Sequence, residues 1–441
     1  MNKPRIVVAT WLCAATLAAL PAGAAESALS FEAVLLRGLA NAAKLKQTQI
    51  GLETSAWDTT RATSAFLPKL DVIASTQRIK SFGSIPSVDS LLLGGADSAN
   101  YANAQTKLGL NIFNGGADLS GLKLAREKER EAALHLQLER QEFARKVLSA
   151  YHELQQAQLT LQIHSVEWSG HVAQFSRSQA DFSQGRISAL DLADAEFEKK
   201  KKELEKNAAE RKHSNALRKL LLVIGDDLAI EPIPTQIDAR SDYQRSLQNT
   251  GFEAVDVVSE VTVPASKIKQ SQWLSQQSLS RFLPKIDLYA RIDHAGLAKS
   301  DSSILRTVND LARDKSYFGI TFSWNLFDGF DSYAQVKIKA KEIVATQEAY
   351  RLALEDQQRG QYELEQALRE AEDDCELARE KLRLMQQKRT VQQLEHSLGR
   401  RSESAYAESE TKLQVQQLQL RANEENQHYL KAKRFLTGGQ F

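Results

Sequence analysis

The chain has 441 residues, 42% of them hydrophobic and 26% charged, enough to bury a large core in two or three domains by length alone. Its 57 basic and 56 acidic residues leave a formal charge of +1, which gives no reason to invoke nucleic acid as a partner. Only 21 Gly and 8 Pro punctuate it, so long uninterrupted elements are expected.

The first 24 residues read as an export signal: Lys3 and Arg5 form a basic start, Ile6 to Leu20 an apolar run, and Ala22-Gly23-Ala24 a cleavage site of small residues. Cys13 lies inside that apolar run, with Thr10 where a lipoprotein signal would want Leu, so no lipidation is expected there. Cys375 is then the only cysteine left, which excludes an internal disulfide and a cysteine-based zinc site. No later apolar run approaches the ~20 residues of a membrane-spanning helix. A membrane-inserted form of this chain has to be a β-barrel.

From Phe31 to about Thr63 apolar residues recur at spacings of three and four, as in a helix, and Phe66-Leu67-Pro68-Lys69 ends it. A strand-like run to about Ile79 follows, then a Ser-, Gly- and Asp-rich loop over 81–100. A second strand has Leu108, Leu110 and Ile112 alternating with Lys107, Gly109 and Asn111. Residues 117–182 contain no Pro and are rich in strong helix formers, predicting a helix ~100 Å long. Gly185-Arg186-Ile187-Ser188 breaks it, a shorter helix runs from about Ala189 to Ile224, and residues 231–250 read as a linker.

The second half repeats this order. A weaker helical stretch over Ala254 to Leu279, interrupted by Pro264, leads to Phe282-Leu283-Pro284-Lys285, which repeats Phe66-Leu67-Pro68-Lys69. Two clearer strands follow, the second with Phe318, Ile320, Phe322, Trp324 and Leu326 in alternation. A long helix from about Ser332 to His396 then turns at Gly399-Arg400-Arg401-Ser402 into a last helix ending near Leu436. Asn111-Ile112-Phe113-Asn114-Gly115-Gly116 and Asn325-Leu326-Phe327-Asp328-Gly329-Phe330 close the two strand pairs. The landmarks keep an offset of 214 to 216 residues, so the chain reads as a duplication: a signal over 1–24, a first repeat over 25–230, a linker over 231–250 and a second repeat over 251–441.

Each half supplies two strands long enough to cross a bilayer when tilted, with alternation fit for one lipid face and one water face. Phe113, Phe322, Trp324 and Phe327 are the candidates for an interfacial aromatic belt. Four strands cannot close a barrel, and open edges in hydrocarbon leave backbone groups unpaired, so an oligomer of eight, twelve or sixteen strands is required. The helices are too polar for lipid. Leu134, Leu136, Leu138, Phe143, Val147, Leu148, Tyr151 and Leu154 keep the apolar stripe of a helix in a coiled-coil wall.

In these features, the F-L-P lead-in to each strand pair, the N-x-F-[ND]-G exit and the glycine turn between a long and a short helix, the chain resembles the TolC family of outer-membrane channels over essentially its whole mature length. The resemblance implies a mostly α fold with a β-barrel part: two structural repeats, long antiparallel helices forming an α-barrel in the periplasm, and four strands per protomer in a trimeric 12-stranded barrel in the outer membrane of a Gram-negative bacterium. It implies a homotrimer in contact with outer-membrane lipid, a periplasmic adaptor, and an inner-membrane pump or ABC transporter as partners. The expected function is export, with a slight lean to type I protein secretion over drug or metabolite efflux. A periplasmic adaptor or a coiled-coil scaffold is the reading from another class.

No catalytic set, phosphate loop or dinucleotide fingerprint occurs, so neither an enzyme nor a cofactor is expected. His164 and His171, seven residues apart on one helix face, read as ordinary surface histidines rather than metal ligands. The resemblance makes Gly185, Arg186, Ser188, Gly399, Arg400, Arg401 and Ser402 the adaptor-docking turns. Asp191, Asp194 and Glu408 become the candidates for a periplasmic gate. Ala405 stands where a fourth gate carboxylate would fall. Ser188-Ala189-Leu190-Asp191 also has the spacing of a capping box, so Asp191 is open to either role. The arginines are either docking contacts or solvated helix-end cations.

Overall fold

A computed structural model describes residues 30–80, 98–225, 243–252, 259–299, 313–398, 400 and 402–437. The export signal, and Gly399 and Arg401 of the second turn, lie outside the described residues.

Two helices of 67 residues each dominate the molecule. In chain order the elements are α1 (Phe31–Asn41), α2 (Ala43–Thr63), β1 (Lys69–Lys80), β2 (Ser98–Asn114), α3 (Ala117–Ser183), α4 (Ala189–Ile224), α5 (Tyr243–Asn249), α6 (Thr262–Leu279), β3 (Lys285–Lys299), β4 (Arg313–Ser323), α7 (Asp331–Ser397) and α8 (Glu403–Leu436). Short 3₁₀ turns at Ser64–Phe66 and Ser280–Phe282 end α2 and α6 just before Pro68 and Pro284, which cannot continue a hydrogen-bonded helix.

The long helices are scaffolds for pairs of shorter ones. Helix α3 packs on α2 and α6 along its first part and on α4 and α8 along the rest, while α7 packs on α6 and α8. The wall therefore reads α2–α3–α6–α7 near the sheet and α4–α3–α8–α7 away from it. Helices α2 and α7 are its free edges at one level, α4 and α7 at the other.

A buried cluster ties the two levels together near the middle of α3. Phe31, Val34 and Leu35 of α1 meet Val147, Leu148, Tyr151 and Leu154 of α3, the ends of α4 and α8, and Tyr243 and Leu247 of α5. The rings of Phe31, Tyr151 and Tyr243 stand mutually edge-to-face, with centroids 5.2–6.1 Å apart. The Tyr243 hydroxyl donates to the Gln155 amide oxygen, which satisfies both groups inside this apolar site.

Several elements differ from the sequence reading. The helix expected over Phe31–Thr63 is broken at Ala42, whose ψ of 104° is not helical although its amide still donates to Gly38. Within the stretch read as a linker, Tyr243–Asn249 is helical, because Tyr243 and Leu247 share one face that enters the core. Pro264 does not interrupt its helix: it lies in the first turn of α6, where the missing amide has no intrahelical partner to lose. Strand β2 starts at Ser98, inside the segment assigned to a loop. Strand β4 stops at Ser323, short of Trp324 and Leu326, because the Trp324 indole turns back to donate to the Phe282 carbonyl.

Candidate functional site

The four strands form one antiparallel sheet in the order β1-β2-β3-β4, so the two repeats join side by side at β2 and β3. The register sorts the side chains into two faces. One carries Leu70 and Val72, Leu108 and Leu110, Ile286, Leu288 and Ile292, and Phe318, Ile320 and Phe322. The other carries Asp71, Gln105, Lys107, Asp287, Arg291, Asp293 and Lys315. The polar face is internally bonded: Gln105 donates to Asp293 at 3.0 Å, Arg291 pairs with Asp293 at 3.0 Å, and the Arg291 guanidinium lies over the Tyr317 ring. Among the described residues the apolar face has no cover, Val72 being 69% and Phe318 80% exposed. An uncovered apolar surface of this extent needs lipid or protein against it. The outer edges of β1 and β4 are unpaired by any described strand.

Of the aromatic belt residues, Phe113 and Phe322 lie on the apolar face and Trp324 and Phe327 lie just past the strands, all of them exposed. The Asn-Gly exit phrase works as a clamp in the first repeat. Asn111 and Asn114 both donate to Asp118 in the first turn of α3, at 3.1 and 3.4 Å, which holds a carboxylate at the positive end of a 67-residue helix. In the second repeat Asp328 accepts from the Ser332 amide at 3.0 Å instead, and hydrogen bonding by Ser332 holds its carboxyl below the usual range. The sequence reading uses the asparagines only as part of the repeated phrase and misses Asp118, although an acidic residue in a first helical turn is a visible signal.

At the far end both hairpins close in the same way. The Gly185 amide donates to Phe182 and the Arg186 amide to Asp181, each at 2.9 Å, a Schellman closure with Gly185 left-handed at φ 71°. The Arg400 amide donates to Glu395 at 2.9 Å, the equivalent bond of the second turn. Ser188 then caps α4 in a complete capping box with Asp191: its hydroxyl accepts from the Asp191 amide, and the Asp191 carboxylate accepts from the Ser188 amide and hydroxyl. Those bonds hold the Asp191 carboxyl below its usual range. Ser402 caps α8 through the Ala405 amide, and Ala405 cannot return the second bond.

The gate candidates lie on two helices of one protomer, Asp191 and Asp194 one turn apart on α4 and Glu408 on α8. Asp194 is exposed on α4 with no ion pair or hydrogen bond to another described residue. Glu408, on α8, is held at 2.6 Å by Lys412. Arg186 pairs with Asp181 at 3.2 Å, and Arg400 is exposed. A tie the sequence reading missed crosses the second turn: His396 of α7 contacts Glu403 of α8 at 2.6 Å and stacks on Tyr406. The three residues are scattered in sequence with no diagnostic spacing.

A hairpin-repeat wall of long helices, joined to a short sheet with one apolar face, is a TolC-like fold. Residues 35–226, essentially the first repeat, match the family model described as outer membrane efflux protein. Among solved structures the chain is similar to the outer membrane channel CmeC of Campylobacter jejuni (16% identity, TM-score 0.71, 93% of this chain and 86% of that one). It is similar also to the outer membrane protein VceC of Vibrio cholerae (13%, 0.72, 93% and 96%) and to the MtrE outer membrane channel of Neisseria gonorrhoeae (13%, 0.66, 93% and 89%). No curated protein matches by sequence. The resemblance drawn from the F-L-P and N-x-F-[ND]-G phrases thus holds for the fold.

Proposed function

We propose that three copies of this chain assemble into an outer-membrane export duct, their sheets closing a 12-stranded barrel and their helices continuing it as a tube into the periplasm. The observation that carries the reading is the division of the sheet into an uncovered apolar face and a bonded polar face, together with its two open edges. Joining β1 of one copy to β4 of the next removes the edges, as a bilayer demands. The helical edges support the same closure. Leu190, Phe197 and Leu204 of α4, and Leu377, Leu384 and Val391 of α7 with Leu398 at its C-cap, are exposed at strict seven-residue spacing, the pattern of a helix seam awaiting its partner.

In this reading the two hairpin turns face a periplasmic adaptor coupled to an inner-membrane pump, with Arg186 and Arg400 exposed at the contact. The efflux-family match of the first repeat fits either small molecules or secreted proteins as cargo. Asp194, unpaired on α4, is the better candidate for a cation-selecting ring; Asp191 serves as a cap, and Glu408 is ion-paired with Lys412.

Fractionation of cells and planar-bilayer recording test the proposal. A heat-modifiable trimer in the outer membrane, with a conductance whose cation preference falls in Asp194→Ala, is expected. A monomer released with the periplasmic contents overturns the duct, and unchanged ion preference in Asp194→Ala overturns the ring.

A further inference from the structure

Within the α3–α4 hairpin the chain assembles groups for which neither wall nor gate has a use. His164 and Glu167, three residues apart on α3 and so on one helix face, look across at Glu205 of α4. The His164 Nδ1 atom lies 3.4 Å from a Glu167 carboxylate oxygen and 3.8 Å from one of Glu205. Ligand atoms of all three residues lie within 4.8 Å of one another. That nitrogen is shut off from solvent and makes no hydrogen bond. Between the carboxylates sits the Lys202 ammonium, 2.9 Å from each.

We propose that this cluster is a binding site for a divalent metal ion of the zinc type, ligated by His164, Glu167 and Glu205, with Lys202 as the internal cation that the metal replaces. A tetrahedral zinc ion with nitrogen and oxygen donors at about 2.0–2.1 Å keeps those donors roughly 3.4 Å apart. The imidazole already meets that spacing to one carboxylate and misses it narrowly to the other, so side-chain rotation alone closes the set. Imidazole with carboxylates is a donor combination that zinc accepts well. A structural ion-pair cluster explains Lys202 and both glutamates, but it leaves the His164 Nδ1 atom facing two carboxylates at 3.4 and 3.8 Å with no hydrogen bond made. A route for the ion is also present. Glu167 and Lys202 line a cavity of about 650 Å³ between α3, α4, α7 and α8, into which the lysine side chain can swing. Metal bound there joins the two helices of one hairpin, so the hairpin becomes stiffer when the ion is present.

The test is calorimetric titration of the detergent-purified, full-length protein with zinc chloride, comparing wild type, Lys202→Met, and Lys202→Met combined with His164→Gln or with Glu205→Gln. Removing the competing ammonium is expected to tighten one zinc site per chain at least tenfold, and each double variant is expected to lose that gain. Equal zinc affinity in Lys202→Met and its His164→Gln derivative overturns the proposal. Should the Lys202 variants not fold, wild type against His164→Gln gives the same comparison. Loss of one zinc per chain in that variant supports the site, and equal stoichiometry overturns it.

Discussion

Phe113 and Phe322 stand on the same face of the sheet, on either side of Ile286 of the strand between them. They do so because β2 bulges between Asn111 and Phe113, so that Ile112 is the extra residue and Phe113 drops into register with Ile286. Without the bulge Phe113 would share the side of Gly109 and Asn111, on the polar face. The bulge therefore puts Phe113, rather than Ile112, in the row of Ile286 and Phe322 at the end of the strands, where a belt belongs.

The depth of that row leads to a graded prediction. Phe318 lies four residues further along β4, about 13 Å at the usual rise per residue. Toward the middle of the apolar band a cationic side chain costs about 2–4 kcal/mol, and near its rim about 0–1 kcal/mol. Phe318→Arg is expected to lower the urea midpoint of the detergent-reconstituted trimer and its yield in the outer membrane, whereas Phe322→Arg is tolerated. Equal tolerance of both would remove the argument that this face meets lipid.

The two exits from the sheet differ in strain. Gly115 has φ 58°, and a Cβ there would lie 2.4 Å from the Ser280 carbonyl oxygen. Gly116, at φ 80°, has open space around it, and its counterpart in the second repeat is Phe330 at φ 72°, the one non-glycine residue with positive φ among the described residues. A left-handed L-residue costs about 1–2 kcal/mol. Phe330→Gly should relieve part of that cost, less the loss of the edge-to-face contact between Phe327 and Phe330. Gly116→Ala should destabilise by about 1 kcal/mol and Gly115→Ala by considerably more, because backbone must move. Thermal unfolding of the three variants gives the order directly.

Ser188 and Ser402 occupy equivalent caps with unequal partners. Ser→Ala at a cap costs about 1 kcal/mol, and the loss should be larger at Ser188, whose hydroxyl also donates to the Asp191 carboxylate. Because Asp191 is held below the usual carboxylate range, its contribution is complete above that range. It fades as pH falls through the lowered value. Hydrogen exchange of the Asp191 and Ala405 amides in wild type and in each variant checks both statements.

The duplication, both long helices, the strand pairs and the glycine turns could be read from sequence because each rests on a local signal: Pro68 and Pro284, the alternation of Phe318 to Phe322, the proline-free run after Gly116. The parts that were hidden depend on residues distant in sequence. Tyr243 and Leu247 look like linker until Phe31 and Tyr151 are brought against them. The bulge at Ile112 shows only when β2 is laid against β3. Of the site, the Ser188–Asp191 box was legible from spacing. The His396–Glu403 tie and the His164 cluster were not, since no pattern marks contacts between two antiparallel helices.

Burial gives the mid-wall its own acid sensitivity. His152 of α3 stacks on Tyr429 of α8 at 4.2 Å, and desolvation pushes its imidazole down to about 4 against the opposing hydrogen bond from Asn426. An unfolded imidazole titrates near 6.5, so between that pH and about 4 the unfolded chain holds more protons. Stability is therefore intact above the window and falls within it by about 3 kcal/mol as pH drops. His152→Phe keeps the stack and removes the proton. It should be about 1 kcal/mol less stable at neutral pH through loss of the Asn426 bond, yet lose much less between pH 7 and 4.5. Parallel acid limbs for the two proteins would show that His152 is not the group responsible.

The seam between copies is the test that the helices offer independently of the sheet. Helix α4 packs on α3 alone among its larger contacts, and α7 on α6 and α8, so each presents an outer face to no one in the protomer. On those faces Phe197 of α4 and Leu384 of α7 are the central residues of the exposed heptad stripes. Burying such a side chain is worth about 1.5–3 kcal/mol, and three copies repeat each contact three times. Phe197→Glu or Leu384→Glu should thus leave the folded protomer intact, since neither residue touches the buried cluster, while shifting detergent-extracted protein from trimer toward monomer by sedimentation. A matching change at Trp57 of α2 should act at the sheet-side level. The control is Leu154→Glu in the cluster itself, which should destroy the protomer rather than the assembly. If Phe197→Glu and Leu384→Glu both remain trimeric, the copies do not meet at α4 and α7, and the wall closes through some other pair of faces.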